Sequence, residues 1–228
     1  AIRPDDAASV LPLAQAYLLA GRVDDAVSAL KSFSGADSKD ARDAMLALAA
    51  LQGQELPEAL DLATRVARDD RSSKLARSLA ITVLASPALP EGGKSVLQEL
   101  ADKDPRSVQP RLALAGLLDA RGDFTGALRN YAAVLKLEPS NRSALAGYAR
   151  AAVRTDGAPE AVKVLKSAME QGSASPEVGV LLTDVYLSQN DLESAKTLTA
   201  ELSARYPADP GVLLRRGALL ASGPSPKD

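Results

Sequence analysis

The chain has 228 residues, no Cys, no His, and a formal net charge of −2 from 27 basic and 29 acidic side chains. Without Cys there is no disulfide, thiolate metal site or cysteine nucleophile, and without His the commonest general base and metal ligand are missing. The charge balance speaks against a dedicated nucleic-acid binder. No apolar run approaches the ~20 residues that span a bilayer.

Hydrophobic residues make up 46% of the chain, aromatics only 3%, and Trp is absent. The core must therefore be built from Leu, Val and Ala, and Ala and Leu are strong helix formers. An all-α protein is expected. A small residue recurs along it at Ala26, Ala59, Gly93, Ala127, Ala161 and Ala195, with spacing that is constant except for one place fewer in the first interval. A register kept that long marks one helical unit stacked several times, so residues 1–228 read as a single array.

In chain order, residues 7–39 carry Leu13, Ala14, Tyr17, Gly21, Ala26 and Leu30. Residues 40–73 keep Leu46, Ala47, Ala59 and Val66, with Gly53 one place out of register. Residues 74–107 keep Leu84, Leu97, Leu100 and Pro105. Pro57, Pro90 and Pro159 open second helices, where a missing N–H costs nothing. Residues 108–141 are the clearest repeat. The segment from Arg111 to Leu118 has helical periodicity, Gly122-Asp123 breaks it, and Asp123 can cap the next helix. Ala127, Leu128, Tyr131, Val134, Leu135 and Leu137 then share a face until Pro139. Residues 142–175 give Tyr148, Ala149, Ala161, Leu165 and Ala168; residues 176–209 give Leu182, Tyr186, Asn190, Ala195, Leu202 and Pro207. Residues 210–222 start a partial repeat, cut short by Gly223-Pro224-Ser225-Pro226. Pro4 stands where an earlier repeat would end. The chain begins mid-pattern, which reads as a fragment of a longer array.

Three motifs suggest chemistry. Glu91-Gly92-Gly93-Lys94-Ser95 is similar to the tail of a phosphate-binding loop, but Ala88 occupies the first Gly place and no strand precedes it. Ser28 and Lys31 have the spacing of some acyl enzymes, without the companion motifs. Arg65, Arg68, Arg71, Lys74 and Arg77 recur every three residues, yet Asp69 and Asp70 interrupt them and no aromatic interleaves. Each is better explained by helix packing or a solvated face. No catalytic residue, metal site or cofactor is expected.

The pattern of Leu114, Ala115, Gly122, Ala127, Tyr131 and Pro139, repeated in the other windows, resembles the tetratricopeptide repeat. The resemblance covers about residues 7–209. It implies an all-α right-handed solenoid of antiparallel helix pairs that binds protein partners. It also implies that first helices line a concave face, touching ligands at the second, fifth, ninth, twelfth and thirteenth places. Carried over, the partner-binding candidates are Gln15, Gln109, Asp119, Arg150, Arg154 and Asp184, with Gln52, Ser78, Thr82 and Glu177 beside them. Arg150 and Arg154 are four apart and share a helix face, where guanidinium groups can grip a carboxylate. The simpler expectation is that Asp184, at the matching place of the next repeat, neutralises Arg150.

The functional expectation is a non-catalytic scaffold for a partner protein or peptide. It involves no nucleic acid and no membrane span in this segment, and homo-oligomers through the terminal repeats stay open. The Ala-rich, Cys-free style is similar to bacterial envelope members of the family in exopolysaccharide export or pilus assembly. A periplasmic location is expected, with the cytoplasm as alternative. A polysaccharide-associated module and a self-assembling scaffold remain open.

Overall fold

Helices of 10 to 14 residues are marginal alone in water, so each needs a partner for its apolar stripe. A computed structural model describes residues 6–35, 38–170 and 175–221; Pro4 and the Gly223-to-Pro226 stop lie outside them. Among the described residues every regular element is a helix. They are α1 (Ala7–Leu19), α2 (Val23–Ser32), α3 (Lys39–Gln52), α4 (Leu56–Arg68), α5 (Lys74–Leu84), α6 (Glu91–Lys103), α7 (Val108–Ala120), α8 (Phe124–Leu137), α9 (Arg142–Val153), α10 (Ala158–Glu170), α11 (Pro176–Ser188), α12 (Leu192–Arg205) and α13 (Pro210–Ala221).

The chain divides into two compact units, Ala1–Leu117 and Leu118–Asp228. In the first, α1 lies against α2 and α3, α3 against α4 and α5, and α4 against α5 and α6. Leu18, Ala26 and Ala49 form a buried knot there, ringed by Tyr17, Val23, Val27, Met45 and Leu48. In the second, α9 packs on α8, α10 and α11, and α11 packs on α12 and α13. First helices such as α3 and α11 thus touch both their own partner and the next first helix.

The small-residue ladder is where paired helices meet. Ala26, Ala59, Ala127, Ala161 and Ala195 are fully buried. At Gly93 the approach is too close for any side chain: a Cβ there would lie 2.7 Å from the Leu84 carbonyl oxygen at the end of α5. Polar side chains cap the helices, Asp123 where the sequence places it and Asn141 and Asp191 at the matching helix starts. Asp123 accepts the Gly126 N–H at 2.8 Å, Asn141 accepts that of Ala144 at 2.9 Å, and Asp191 accepts that of Ser194 at 3.1 Å. Pro90 is the N-cap of α6, and Pro57 opens α4.

The tight turns agree with the displaced glycine of residues 40–73. Gly21 and Gly122 adopt φ of +72° and +81°, the left-handed conformation that ends a helix. In residues 40–73 that conformation belongs to Gln54, at φ +64°, whereas Gly53 has φ −75°. Asn190 does the same at φ +58°. The register is kept; the glycine merely precedes the residue that needs it.

Candidate functional site

The most heavily built part of the first-helix face joins the end of α7 to α9. On α9, Gly147 lacks a side chain, and a Cβ there would land on the ring of Tyr131 from α8. Tyr131 is consequently 3% exposed. One turn further along α9, on the same face, Arg150 reaches Asp119 of α7. Its Nε and Nη2 donate to one carboxylate oxygen at 2.8 and 2.5 Å. The Asp119 side chain is 8% exposed, whereas that of Arg150 is 60% exposed. A buried acid therefore anchors a cation that stays open to solvent. Burial pushes the Tyr131 phenol above its ordinary value, the Asp119 charge adds to that, and Arg150 partly offsets it. The hydrogen bond to Asp119 raises the Arg150 guanidinium further, against its own burial. Arg150 stays charged at any physiological pH and, with five N–H donors, keeps some for a second acceptor.

Asp184 and Arg215 form a second pair, between α11 and α13. Here the fork is matched: Nε to Oδ1 at 2.8 Å and Nη2 to Oδ2 at 2.6 Å. Only 26% of the Arg215 side chain is exposed, so this pair is closed on itself. Asp184 consequently does not neutralise Arg150, contrary to expectation. The expected pairing assumed partners at the same place of successive repeats, a full repeat length apart. The observed pairs are 31 residues apart, one helical turn earlier on the following helix. Gln109, donating to Ser78 Oγ, follows the same rule between α7 and α5, and Arg68 with Glu99 repeats it between α4 and α6.

Arg154 separates from Arg150. It caps the C-terminus of α9 and lies over the Phe124 ring at the start of α8, 5.1 Å from its centre, a cation–π contact. The two guanidinium groups do not converge. Gln15 is exposed on α1, and Thr82 is exposed on α5 with its hydroxyl donating to the Ser78 carbonyl at 3.0 Å. Sequence reasoning missed Arg215, Tyr131 and Gly147. The signal for Arg215 was its 31-residue distance from Asp184.

The motifs with catalytic overtones resolve into packing. Gly92 and Gly93 lie in the first turn of α6. A Cβ on Gly92 would meet Leu60 Cδ2 at 2.7 Å, and Ser95 Oγ donates to its own helix at Glu91. Ser28 and Lys31 lie on the exposed side of α2. Three members of the basic run are neutralised, Arg65 by Asp61 at 3.1 Å, Arg68 by Glu99 and Arg71 by Asp69, while Arg77 donates to the Asp69 carbonyl at 2.9 Å. Among the described residues no group of three acidic, His or Cys side chains could hold a metal, and no helix is long and apolar enough to cross a membrane.

Comparison with known proteins fits this architecture. Tetratricopeptide repeat family profiles match residues 11–74 in the first unit, and 120–171 and 158–216 towards the C-terminus. No curated protein matches the chain. Among solved structures, a thermophilic TPR protein of Thermus thermophilus is 16% identical with a TM-score of 0.51, over 80% of this chain and 99% of that one. PilW, a widely conserved type IV pilus biogenesis factor, is 14% identical with a TM-score of 0.56, over 90% and 96%. A tetratricopeptide repeat protein from Parabacteroides merdae is 14% identical with a TM-score of 0.55, over 93% and 85%. At these identities the likeness concerns the fold. With the family profiles covering most of its length and paired helices in both units, this chain belongs to the tetratricopeptide repeat family.

Proposed function

We propose that the chain is a non-catalytic scaffold that binds a partner protein or peptide on the face formed by its first helices. The observation that carries this reading is the Asp119–Arg150 pair, in which a buried carboxylate fixes an exposed guanidinium. A guanidinium so anchored loses little side-chain entropy on gripping a second carboxylate. Around it, Val153 is an exposed apolar neighbour at 39%, so one acidic group and one apolar group of a peptide can be read together. We place Arg154, on the same helix over the Phe124 ring, at the edge of this surface; in the other compact unit, Gln15 and Gln109 stand as separate candidates of their own first helices.

The test exchanges the pair: Asp119→Arg with Arg150→Asp keeps the ion pair and reverses the surface charge. The double variant is expected to keep its helical circular dichroism and to lose the partner that the parent chain captures. Equal recovery of that partner by both proteins would sink the assignment of this face.

We further propose a place in a bacterial envelope assembly or export system, of the exopolysaccharide or pilus kind, with the chain in the periplasm. Support comes from the Cys-free composition, which suits an oxidising compartment, and from a pilus biogenesis factor having the same fold. Fractionation of the native full-length protein tests this: recovery with periplasmic markers is expected, and recovery with cytoplasmic markers would contradict it.

A further inference from the structure

An open cleft of about 620 Å³ lies between the second helices α10 and α12, with α11 as its floor. Leu182 and Tyr186 of α11 are almost fully buried, and Met169 and Leu198 on the two walls are half-buried. Among the described residues none of α9 or α13 lines the cleft. Both of those helices are already packed in place, α9 on α10 and α11, α13 on α11 and α12. The array's own helices therefore leave this cleft open.

Its rim is acidic. Glu170 on α10 and Glu201 on α12 stand exposed on opposite walls, one beside Met169 and the other one turn beyond Leu198. The third acid, Glu193, is met by Lys196 at 3.6 Å, but among the described residues Glu170 and Glu201 form no ion pair. Glu170 is also the last residue of α10, whose final turn holds no basic residue. By sequence, Gln171-Gly172-Ser173-Ala174-Ser175 brings none either. A carboxylate there adds to the negative end of the helix dipole, and the combination draws a cation. The repeat does not demand this chemistry. One repeat earlier, the places of Met169 and Leu198 keep the apolar Leu135 and Val164, whereas those of Glu170 and Glu201 are Lys136 and Ser167. The chain's own Lys166 shows how the cleft treats a cation. Its ammonium lies 5.7 Å from the centre of the Tyr186 ring. It is held above its ordinary value first by its hydrogen bond to the Tyr186 phenol, with the charges of Asp191 and Glu170 adding to that. One lysine against two unpaired carboxylates leaves the rim negative.

We infer that this cleft docks a short basic segment of another protein. Its apolar side chain and the aliphatic stems of its Lys or Arg lie on Met169 and Leu198, and its cations meet Glu170 and Glu201. This site is separate from the first-helix face around Arg150 and does not depend on it.

Fluorescence anisotropy on the 228-residue chain tests the inference with three labelled peptides of equal length. The first carries Arg and Leu, the second has Glu in place of Arg, and the third has Ser in place of Leu. The Arg/Leu peptide is expected to bind at least about tenfold tighter than either of the others, and to weaken with added salt. Glu170→Lys with Glu201→Lys, both at exposed positions, is expected to reverse the preference between the first two peptides, a gain that misfolding cannot imitate. Asp24→Lys with Glu58→Lys changes the net charge equally at exposed positions of the other compact unit and is expected to leave the preference unchanged, as is the exchanged Asp119/Arg150 pair. Equal binding of the Arg/Leu and Glu/Leu peptides, no binding of any, binding that does not need Leu, or a preference lost equally in the Asp24/Glu58 variant would overturn the inference. So would a dimer in sedimentation that the Glu170/Glu201 variant dissolves, because a second copy would then be the occupant.

Discussion

Two adjacent glycines at the start of α6 are expected to respond to alanine with opposite signs. A Cβ on Gly93 would lie 2.7 Å from the Leu84 carbonyl oxygen, a backbone atom that cannot swing aside. Ordinary carbon contacts need about 3.5 Å, so α6 must retreat by roughly 0.5–1 Å. That retreat loosens Val96, Leu97 and Ala101, which α6 buries. Overpacking of this kind costs about 1–3 kcal/mol, against about 1 kcal/mol gained by replacing Gly with Ala in a helix. Gly93→Ala is expected to destabilise by up to about 2 kcal/mol net. A Cβ on Gly92 comes equally close, 2.7 Å, but to Leu60 Cδ2, the far end of a half-buried side chain. Leu60 can rotate away, and Gly92→Ala is expected to be neutral or to stabilise by up to about 1 kcal/mol. Urea titration and hydrogen exchange of the α6 amides read the difference locally, which matters because a stacked array need not unfold in one step. If Gly93→Ala protects α6 as well as Gly92→Ala does, the close approach to α5 is not what selects glycine there.

The left-handed Gln54 predicts that Gln54→Gly stabilises the α3–α4 turn by about 0.5–1 kcal/mol, while Gly122→Ala weakens the α7–α8 turn by a similar amount; thermal unfolding of both variants checks the contrast. A double-mutant cycle on Asp119 and Arg150 is expected to give a coupling of about 1 kcal/mol that shrinks with added salt, and zero coupling would show the pair to be ornamental. Ala161→Leu, at a fully buried rung, is expected to cost about 1–3 kcal/mol by overpacking, measured as a lower urea midpoint. For pH, burial is the largest single effect on Asp40 and tends to raise it, but the Ser73 N–H, donated to its Oδ2 at 2.6 Å, together with the Ser73 hydroxyl and the Ala41 and Asp40 backbone N–H groups, holds the carboxyl below its ordinary value. Its contribution is complete above the unfolded aspartate pKa and is lost as pH falls through the lowered folded value. Asp40→Asn should therefore flatten the loss of stability between about pH 5 and pH 2, and an unchanged profile would contradict it.

The fold was largely legible because its determinants are local and repeat. A buried Ala once per repeat, a capping Asp or Asn and a breaking Pro each act within a few residues, and their recurrence removes chance. What stayed hidden depends on how neighbouring helices slide. Asp184 was matched to Arg150 at the repeat length, but each takes a partner 31 residues away, one turn short of that length. Arg154 was grouped with Arg150 by helical spacing, yet it closes α9 and turns to Phe124. Gly147 carried no signal of its own in the sequence and is the seat of the Tyr131 ring. Gln54 took a conformation that its type disfavours because the turn geometry, fixed by the helices on either side, demanded it.

The central claim is that a partner lies on the first-helix face. A photo-crosslinking residue placed at the exposed position 153 on α9, with Arg150 intact, and in parallel at position 160 on α10, tests it in the native full-length protein in its own cells. A discrete partner adduct is expected from position 153, diminished by excess unlabelled chain, and none from position 160. An adduct from 160 with none from 153 would contradict it.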